Sequence, residues 1–395
     1  LSLIICLGLA VAVPLLIRSL INDTFETALI TLEVQQGTAL VNRAGQGEPI
    51  GVTTQIGNLP EGTSIRADEN VQALLTIRTA DDRAALVAVQ VFGSTSLTIE
   101  QARSPRFDQS TQPHRVWLII DGGRARLSLP DEAERPGDYT IETPQAVTAL
   151  AGGSYAFEVT NDETQITVRE GHADVSGGGL VLALGPSQRT VVKLGGRPAG
   201  ILSPERNLIV NGNFRLPLEG TWDVTHDLQQ PTEARGTVTI ETVNGRPAAV
   251  FERQGTYHAE TALRQIVDRD VRDFRSLKLH FVLQIVSQDV PVCGQAGSEC
   301  PMMVKLDYKD ETGTDRSFLQ GFYWLLDPNG VNPNYNTTSG TRNDHVRVPR
   351  NFSFTYETDN LMETLRPTQI TAITFYASGH SWRAAVSEIE LLGEQ

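Results

Sequence analysis

From about residue 31 onward, apolar side chains recur at every second position, in short runs broken by Gly, Pro, Asn and Asp. Tyr155, Phe157 and Val159 alternate with Ala156, Glu158 and Thr160. After Asn161-Asp162-Glu163, Ile166 and Val168 alternate with Gln165, Thr167 and Arg169. A period of two marks a half-buried strand, and a turn between two such runs predicts a hairpin. Leu277, Leu279, Phe281 and Leu283 repeat the pattern, as do Val304, Leu306 and Tyr308 against Lys305, Asp307 and Lys309 before the turn DETGT. Strands at this spacing predict an all-β chain of sandwiches or barrels. One helix-like stretch, around Ile266 to Phe274, is too short to change that class.

The segment Leu1 to Ile21 breaks the pattern. It is apolar throughout, with Arg18 as its one charge, and is about long enough to cross a bilayer. It predicts a single-pass transmembrane helix over residues 1–21, in which Pro14 is a tolerated kink. Two alternatives compete. Ala10-Val11-Ala12 looks like a signal-peptide cleavage site, but the apolar run continues from Val13 to Ile17. A lipoprotein signal would use Cys6, where the preceding Ile5 is bulkier than such signals normally carry. The chain starts at Leu1 rather than Met, so a cytoplasmic piece upstream is expected and the positive-inside rule cannot orient the span.

Orientation comes from the cysteines. Cys293 and Cys300 bracket the loop CGQAGSEC and predict a local disulfide, worth roughly 2–3 kcal/mol by loop entropy. A disulfide belongs in an oxidising compartment, which places the bulk of the chain outside the cytoplasm. The alternative is a pair of free thiols in a cytosolic loop. The histidines are scattered without ligand spacing, so no metal site is predicted. A net charge of -14 over 395 residues excludes nucleic acid as a partner, because phosphates need a Lys/Arg surface.

No G-x-S-x-G elbow, H-E-x-x-H, P-loop or dinucleotide fingerprint is present, and no catalytic residue is assigned. Asp307, Asp310, Glu311 and Asp315 lie among Lys305, Lys309 and Arg316 and read as solvated hairpin charges. A glycosidase on this scaffold, whose paired acids pattern alone would not reveal, is the minor alternative. Sugar recognition would need exposed rings to stack on pyranose faces. The candidates are Trp222, Tyr323, Trp324, Tyr335 and Trp382. Tyr323 and Trp324 are neighbours on one strand and so face opposite ways, and Tyr335 lies in the polar loop 327–344.

Residues 33–193 resemble the FecR-type extracytoplasmic domain. The resemblance rests on Leu59-Pro-Glu-Gly-Thr-Ser-Ile65 before Val71-Gln-Ala-Leu-Leu-Thr-Ile77, then Gly123-Arg124-Ala-Arg126, Thr143-Pro144, Gly152-Gly153-Ser154, Phe157, Glu170-Gly171, Val175 and Leu184-Gly185. Pro144 is expected to start a strand, and the glycines to serve turns or bulges. The resemblance implies either a relay from the outer membrane to a sigma factor or a plain extracytoplasmic module. Asn207-Leu-Ile-Val-Asn-Gly-Asn-Phe214, with Ile370 to Tyr376, Gly379, Trp382 and Val386 to Leu391, resembles galactose-binding-like jelly rolls, which include many carbohydrate-binding modules. That family's structural calcium site usually has an acid after the opening Phe. Here Arg215 stands there, and Glu388 alone would not hold the ion. The expected layout is therefore an anchor at 1–21, a FecR-like β domain at 22–193, a Gly/Pro linker at 194–204 and a β-sandwich at 205–395. The expected role is non-enzymatic: a membrane-anchored extracytoplasmic binding or scaffolding arm that docks to envelope proteins or a surface glycan. A sigma-factor relay is the alternative.

Overall fold

The computed structural model describes residues 2–45, 47–130, 135–293, 297–325, 334–336 and 342–395, with 2–11, 334–336 and 342–344 described by backbone alone. The chain divides into two compact units, Leu1–Pro204 and Glu205–Gln395, and both are built from strands. The apolar N-terminal run forms the helix Ser2–Asp23, with Pro14 inside it. Among the described residues no helix is long and apolar enough to cross a membrane. The structure thus gives a helix, and its crossing of a bilayer is an inference from sequence. The helix end is tied down where Asn22 Oδ1 accepts the Thr111 N–H at 3.1 Å.

The first unit is one 15-stranded sheet closed on a single core that includes Ile30, Leu75, Val89, Leu118, Phe157 and Ile166. Its organiser is the strand His114–Leu129, which pairs in parallel with Gly137–Glu142 and antiparallel with Ser96–Pro105, Ala85–Phe92 and Val147–Val159. The hairpin seen in the sequence sets Phe157 opposite Ile166. The register slips between Leu150 and Gly153. There Gly153 and Gly171 both have positive φ (140° and 87°), and a Cβ on Gly171 would lie 2.0 Å from Gly152 O. Only glycine fits that approach. The Tyr155 hydroxyl fills the bulge, donating to His172 O at 2.9 Å. Thr143-Pro144 does not begin a strand. Thr143 N–H donates to Ala146 O at 2.8 Å, closing a tight turn between Gly137–Glu142 and Val147–Val159. Residues 194–204 are not a free linker either, because the bridges Val192↔Pro198 and Arg189↔Leu202 fold them back along Gln188–Lys193.

The second unit is a sandwich of two six-stranded sheets. In order across the first sheet lie Thr237–Val243, Arg246–Arg253, Trp382–Glu394, Ser276–Gln288 and Phe354–Glu357, with Glu205–Asn207 added on Trp382–Glu394. Across the second lie Asp223–Leu228, Ala259–Asp270, Gln369–Gly379, Met302–Lys309, Asp315–Tyr323 and Val346–Arg347. The inner faces share a core of Leu263, Leu279, Phe281, Val304, Leu306, Phe322, Ile373 and Phe375. The helix-like stretch is a strand as far as Asp270, bent by an irregularity between Ile266 and Arg269. Pairing of Ile266, Arg269 and Asp270 with Gln369–Gly379 overrides the local helical pattern.

The opening Asn207–Phe214 motif is a clip. Asn207 Oδ1 accepts from Ile209 N–H and Leu391 N–H, each at 3.0 Å. A Cβ on Gly212 would meet Ile389 O at 1.9 Å. Phe214 is buried in the core against Trp222, with ring centroids 5.9 Å apart. These residues shape the fold. Glu388 is engaged by Arg246 at 2.7 Å.

Candidate ligand-binding face

Side chains alternate across a strand, so the residues between the core positions of the second sheet lie on its outer face. Register lines them up in rows. One row runs Thr225, Ala262, Tyr376, Met303, Gly321; the next runs Asp223, Arg264, Thr374, Lys305, Leu319; a third runs Ile266, Ala372, Asp307, Ser317. Ala262 and Ala372 are small and buried beneath longer polar side chains, and Gly321 lies under Cys300 and His345. Lys305 Nζ pairs with Asp307 at 3.1 Å, and Ser317 Oγ donates to Asp307 Oδ1 at 2.6 Å. A hollow of about 350 Å³ opens here, bordered by Lys305, Asp307, Asp315, Arg316, Ser317 and Thr371.

The electrostatics of this face are unusual for solvated charge. Burial, and then the Asp227 carboxylate opposite it, hold the Glu260 carboxyl above the ordinary glutamate value, against the opposing pull of His258 and Lys305. Burial, with Glu260 and Asp307 nearby, pushes the Tyr376 phenol well above its usual range. Half-buried groups that perturb one another are enriched at functional sites, and these two stand on the same sheet face as the hollow. By contrast, Asp310 accepts from Thr312 and Arg316, which holds its carboxyl low. It organises the 310–316 turn, as solvated hairpin charge does.

One end of the face is capped. The Cys293–Cys300 disulfide is formed, and both residues pack on Met303 and Tyr323, with Leu319 and Tyr376 at the margin. Cys300 O accepts the Ser378 N–H at 2.9 Å, which pins the loop to the central strand. Cys293, Cys300 and His345 are the one group among the described residues whose potential metal-ligand atoms lie mutually within 4.8 Å. Their sulfurs are bonded to each other, and His345 Nδ1 accepts the Gly321 N–H at 3.1 Å.

The aromatic platform expected from sequence is not assembled. Trp222, Tyr323 and Trp382 are each at most 3% exposed, so none can stack on a sugar. Trp222 is core and donates from Nε1 to Asn211 O at 3.2 Å. Tyr323 points outward but is covered by the disulfide loop. Trp382 closes the end of the core beside Gly236. Trp324 is half-buried under the Arg350 guanidinium, 4.7 Å from its ring centroid. The side chain of Tyr335 lies outside the described residues, although its backbone pairs in a short hairpin, Asn334–Asn336 with Arg342–Asp344. Sequence reasoning missed Glu260, Arg264 and Tyr376. The signal was there, because each alternates with a core residue on strands that pair side by side.

Residues 75–174 match the family model described as FecR protein. No curated protein matches the chain. Among solved structures, a candidate anti-sigma factor from Parabacteroides distasonis is 18% identical over 35% of this chain, with a TM-score of 0.27, and the match spans 59% of that protein's length. A family 11 carbohydrate-binding module from Clostridium thermocellum, solved with a β-1,3-1,4-mixed-linked tetrasaccharide, is 14% identical over 48% of this chain and 96% of its own, with a TM-score of 0.28.

Proposed function

We propose that this chain is a non-catalytic extracytoplasmic binding arm, anchored at a membrane by residues 1–21, whose second unit offers the outer face around Lys305, Asp307, Glu260 and Tyr376 to a protein partner or a surface glycan. The observation that carries the reading is this face: the half-buried, mutually perturbed Glu260 and Tyr376 share it with an open hollow bordered by Lys305 and Asp307. The anchor rests on the apolar sequence of residues 1–21, and the extracytoplasmic side on the disulfide. A second reading, transmembrane signalling toward a sigma factor, is favoured by the FecR match over 75–174. In that reading ligand capture on the face is relayed through the helix.

Co-purification of the full chain from mild detergent, paired with a glycan array, tests the reading. Lys305→Ala, and Tyr376→Phe, which keeps the ring packed beside the disulfide, are expected to lose the bound partner or glycan while retaining the wild-type melting temperature. Ligand binding that is unchanged in both variants would remove the face from the account. Recovery of a sigma factor or its regulator with the chain would favour the relay.

A further inference from the structure

The helix Ser2–Asp23 turns one face to the rest of the first unit. Ile17, Arg18, Ile21 and Asn22 lie three, four, seven and eight positions after Pro14, so all five share that face. Together with Gln109 and Thr111 they border a hollow of about 330 Å³. Leu15, Leu16 and Leu20, on the other side, are more than half exposed. The lining is divided by chemistry. Pro14, Ile17 and Ile21 are apolar, whereas Arg18, Asn22, Gln109 and Thr111 carry hydrogen-bond donors, and none of these residues is acidic. We propose that this hollow binds the phosphodiester headgroup of a membrane phospholipid, whose acyl chain lies against Ile17 and Pro14.

The proposal rests on the reading of residues 1–21 as a membrane anchor, and three arguments carry it. The first is depth. Arg18 stands five residues before the helix end at Asp23, about 7.5 Å along the axis. A guanidinium there extends to headgroup level while its stem stays among acyl chains. Pro14 and Ile17 lie deeper, so the wall runs from apolar to cationic in the order of a phospholipid. The second is donor supply. No hydrogen bond or ion pair engages Arg18 among the described residues, and its planar fork matches a phosphate. Asn22 Oδ1 already accepts the Thr111 N–H at 3.1 Å, which leaves the Asn22 amide N–H groups as donors. The third is a fixed far wall. The Arg135 guanidinium donates to Asp108 O and Gln112 O, each at 3.0 Å, and to Phe107 O and Ser110 O. These bonds hold the loop that carries Gln109 and Thr111 before a ligand arrives. With no acid to pair an ammonium group, the hollow favours phosphatidylglycerol over phosphatidylethanolamine. Generic attraction to an anionic surface needs a basic cluster. Here the net charge is -14, and Arg18 is the one basic residue before Arg43.

The test is native mass spectrometry of the full chain, released in mild detergent from vesicles holding phosphatidylethanolamine and phosphatidylglycerol in equal amounts. One phosphatidylglycerol per chain is expected to stay bound. Arg18→Gln is expected to weaken its retention about 10–100-fold, as loss of a charged hydrogen-bond partner does. Adding Leu16→Arg to that variant restores the charge on the opposite helix face and is expected not to restore retention. Thr111→Val, beyond the apolar run, and Ile17→Trp, which fills the hollow, should each weaken retention while the chain stays inserted. Inorganic phosphate should not displace the lipid. Carbonate extraction of every variant separates this proposal from the anchor reading. A wild-type chain washed off the membrane would remove the anchor and the proposal with it. The proposal alone would be overturned by an inserted chain that retains no lipid or retains both lipids equally. It would also be overturned by retention that survives Arg18→Gln, returns with Leu16→Arg or yields to inorganic phosphate.

Discussion

Arg253 offers the sharpest test of the energetics of the second unit. Its guanidinium is fully buried, and it donates to four backbone carbonyls and one carboxylate. The partners are Ala234 O at 2.8 Å, Tyr257 O at 2.9 Å, Gly379 O at 3.0 Å, His380 O, and Glu233 Oε2 at 2.8 Å. One side chain thus joins three loops at the end of the sandwich where Trp382 closes the core. Arg253→Met keeps most of the volume and removes every donor. Glu233, itself largely buried, keeps only the Thr256 and Tyr257 N–H groups at 3.2 and 3.5 Å. Removing one partner of a buried ion pair costs about 3–5 kcal/mol. At about 2–4 °C per kcal/mol for a unit of this size, its melting transition should fall by about 6–20 °C. Arg253→Lys retains the charge without the planar fork and should fall between the two. Differential scanning calorimetry of the full chain reads this directly, with the first unit as an internal reference. A drop under about 1 kcal/mol for Arg253→Met, or equal stability of the Lys and Met variants, would refute the reasoning.

Glu260→Gln should stabilise the second unit at pH 7. The folded-state carboxyl is held above its unfolded value, so the native state disfavours the ionised form, and stability from this group falls as pH rises through the raised value. The gain from Gln should therefore vanish below the ordinary glutamate value of 4.5, and urea midpoints at pH 7 and pH 4 check it. Gly171→Ala would set a methyl group 2.0 Å from Gly152 O at a φ of 87°, costing the first unit at least about 2–3 kcal/mol, measured by denaturant unfolding. Alkylation of Cys293 and Cys300 should require both unfolding and reductant, since both are fully buried in a disulfide. Reduction should lower stability by about 2–3 kcal/mol.

Much of the fold was legible because burial has a period. The alternation at 155–168, 277–283 and 304–308 marks strands whose apolar members are the core residues. What pattern could not give was pairing. The run from Ile266 to Phe274 reads as helical only until its first half is seen paired to Gln369–Gly379. Thr143-Pro144 constrains the backbone, but whether it starts a strand or closes a turn depends on Ala146 O.

The candidate site was legible in its parts and not as a whole. Tyr323 lies on the sheet face opposite Phe322, yet whether it is exposed depends on the disulfide packed over it. Trp222 and Trp382, as large rings, went to the core, where burial gains most. Lys305 and Asp307 read as bland hairpin charge because Glu260, Arg264 and Tyr376, which make the face, are far from them in sequence and adjacent only through the sheet.

The central claim is that the outer face of the second unit is where this chain binds. A photoactivatable cross-linking residue in place of Lys305, compared with one in place of Lys278 on the opposite sheet, tests it in intact cells. The account predicts a discrete cross-linked product from position 305 that is absent from position 278. Equal products from both positions, or none from 305 under conditions where the chain is at the membrane, would contradict it.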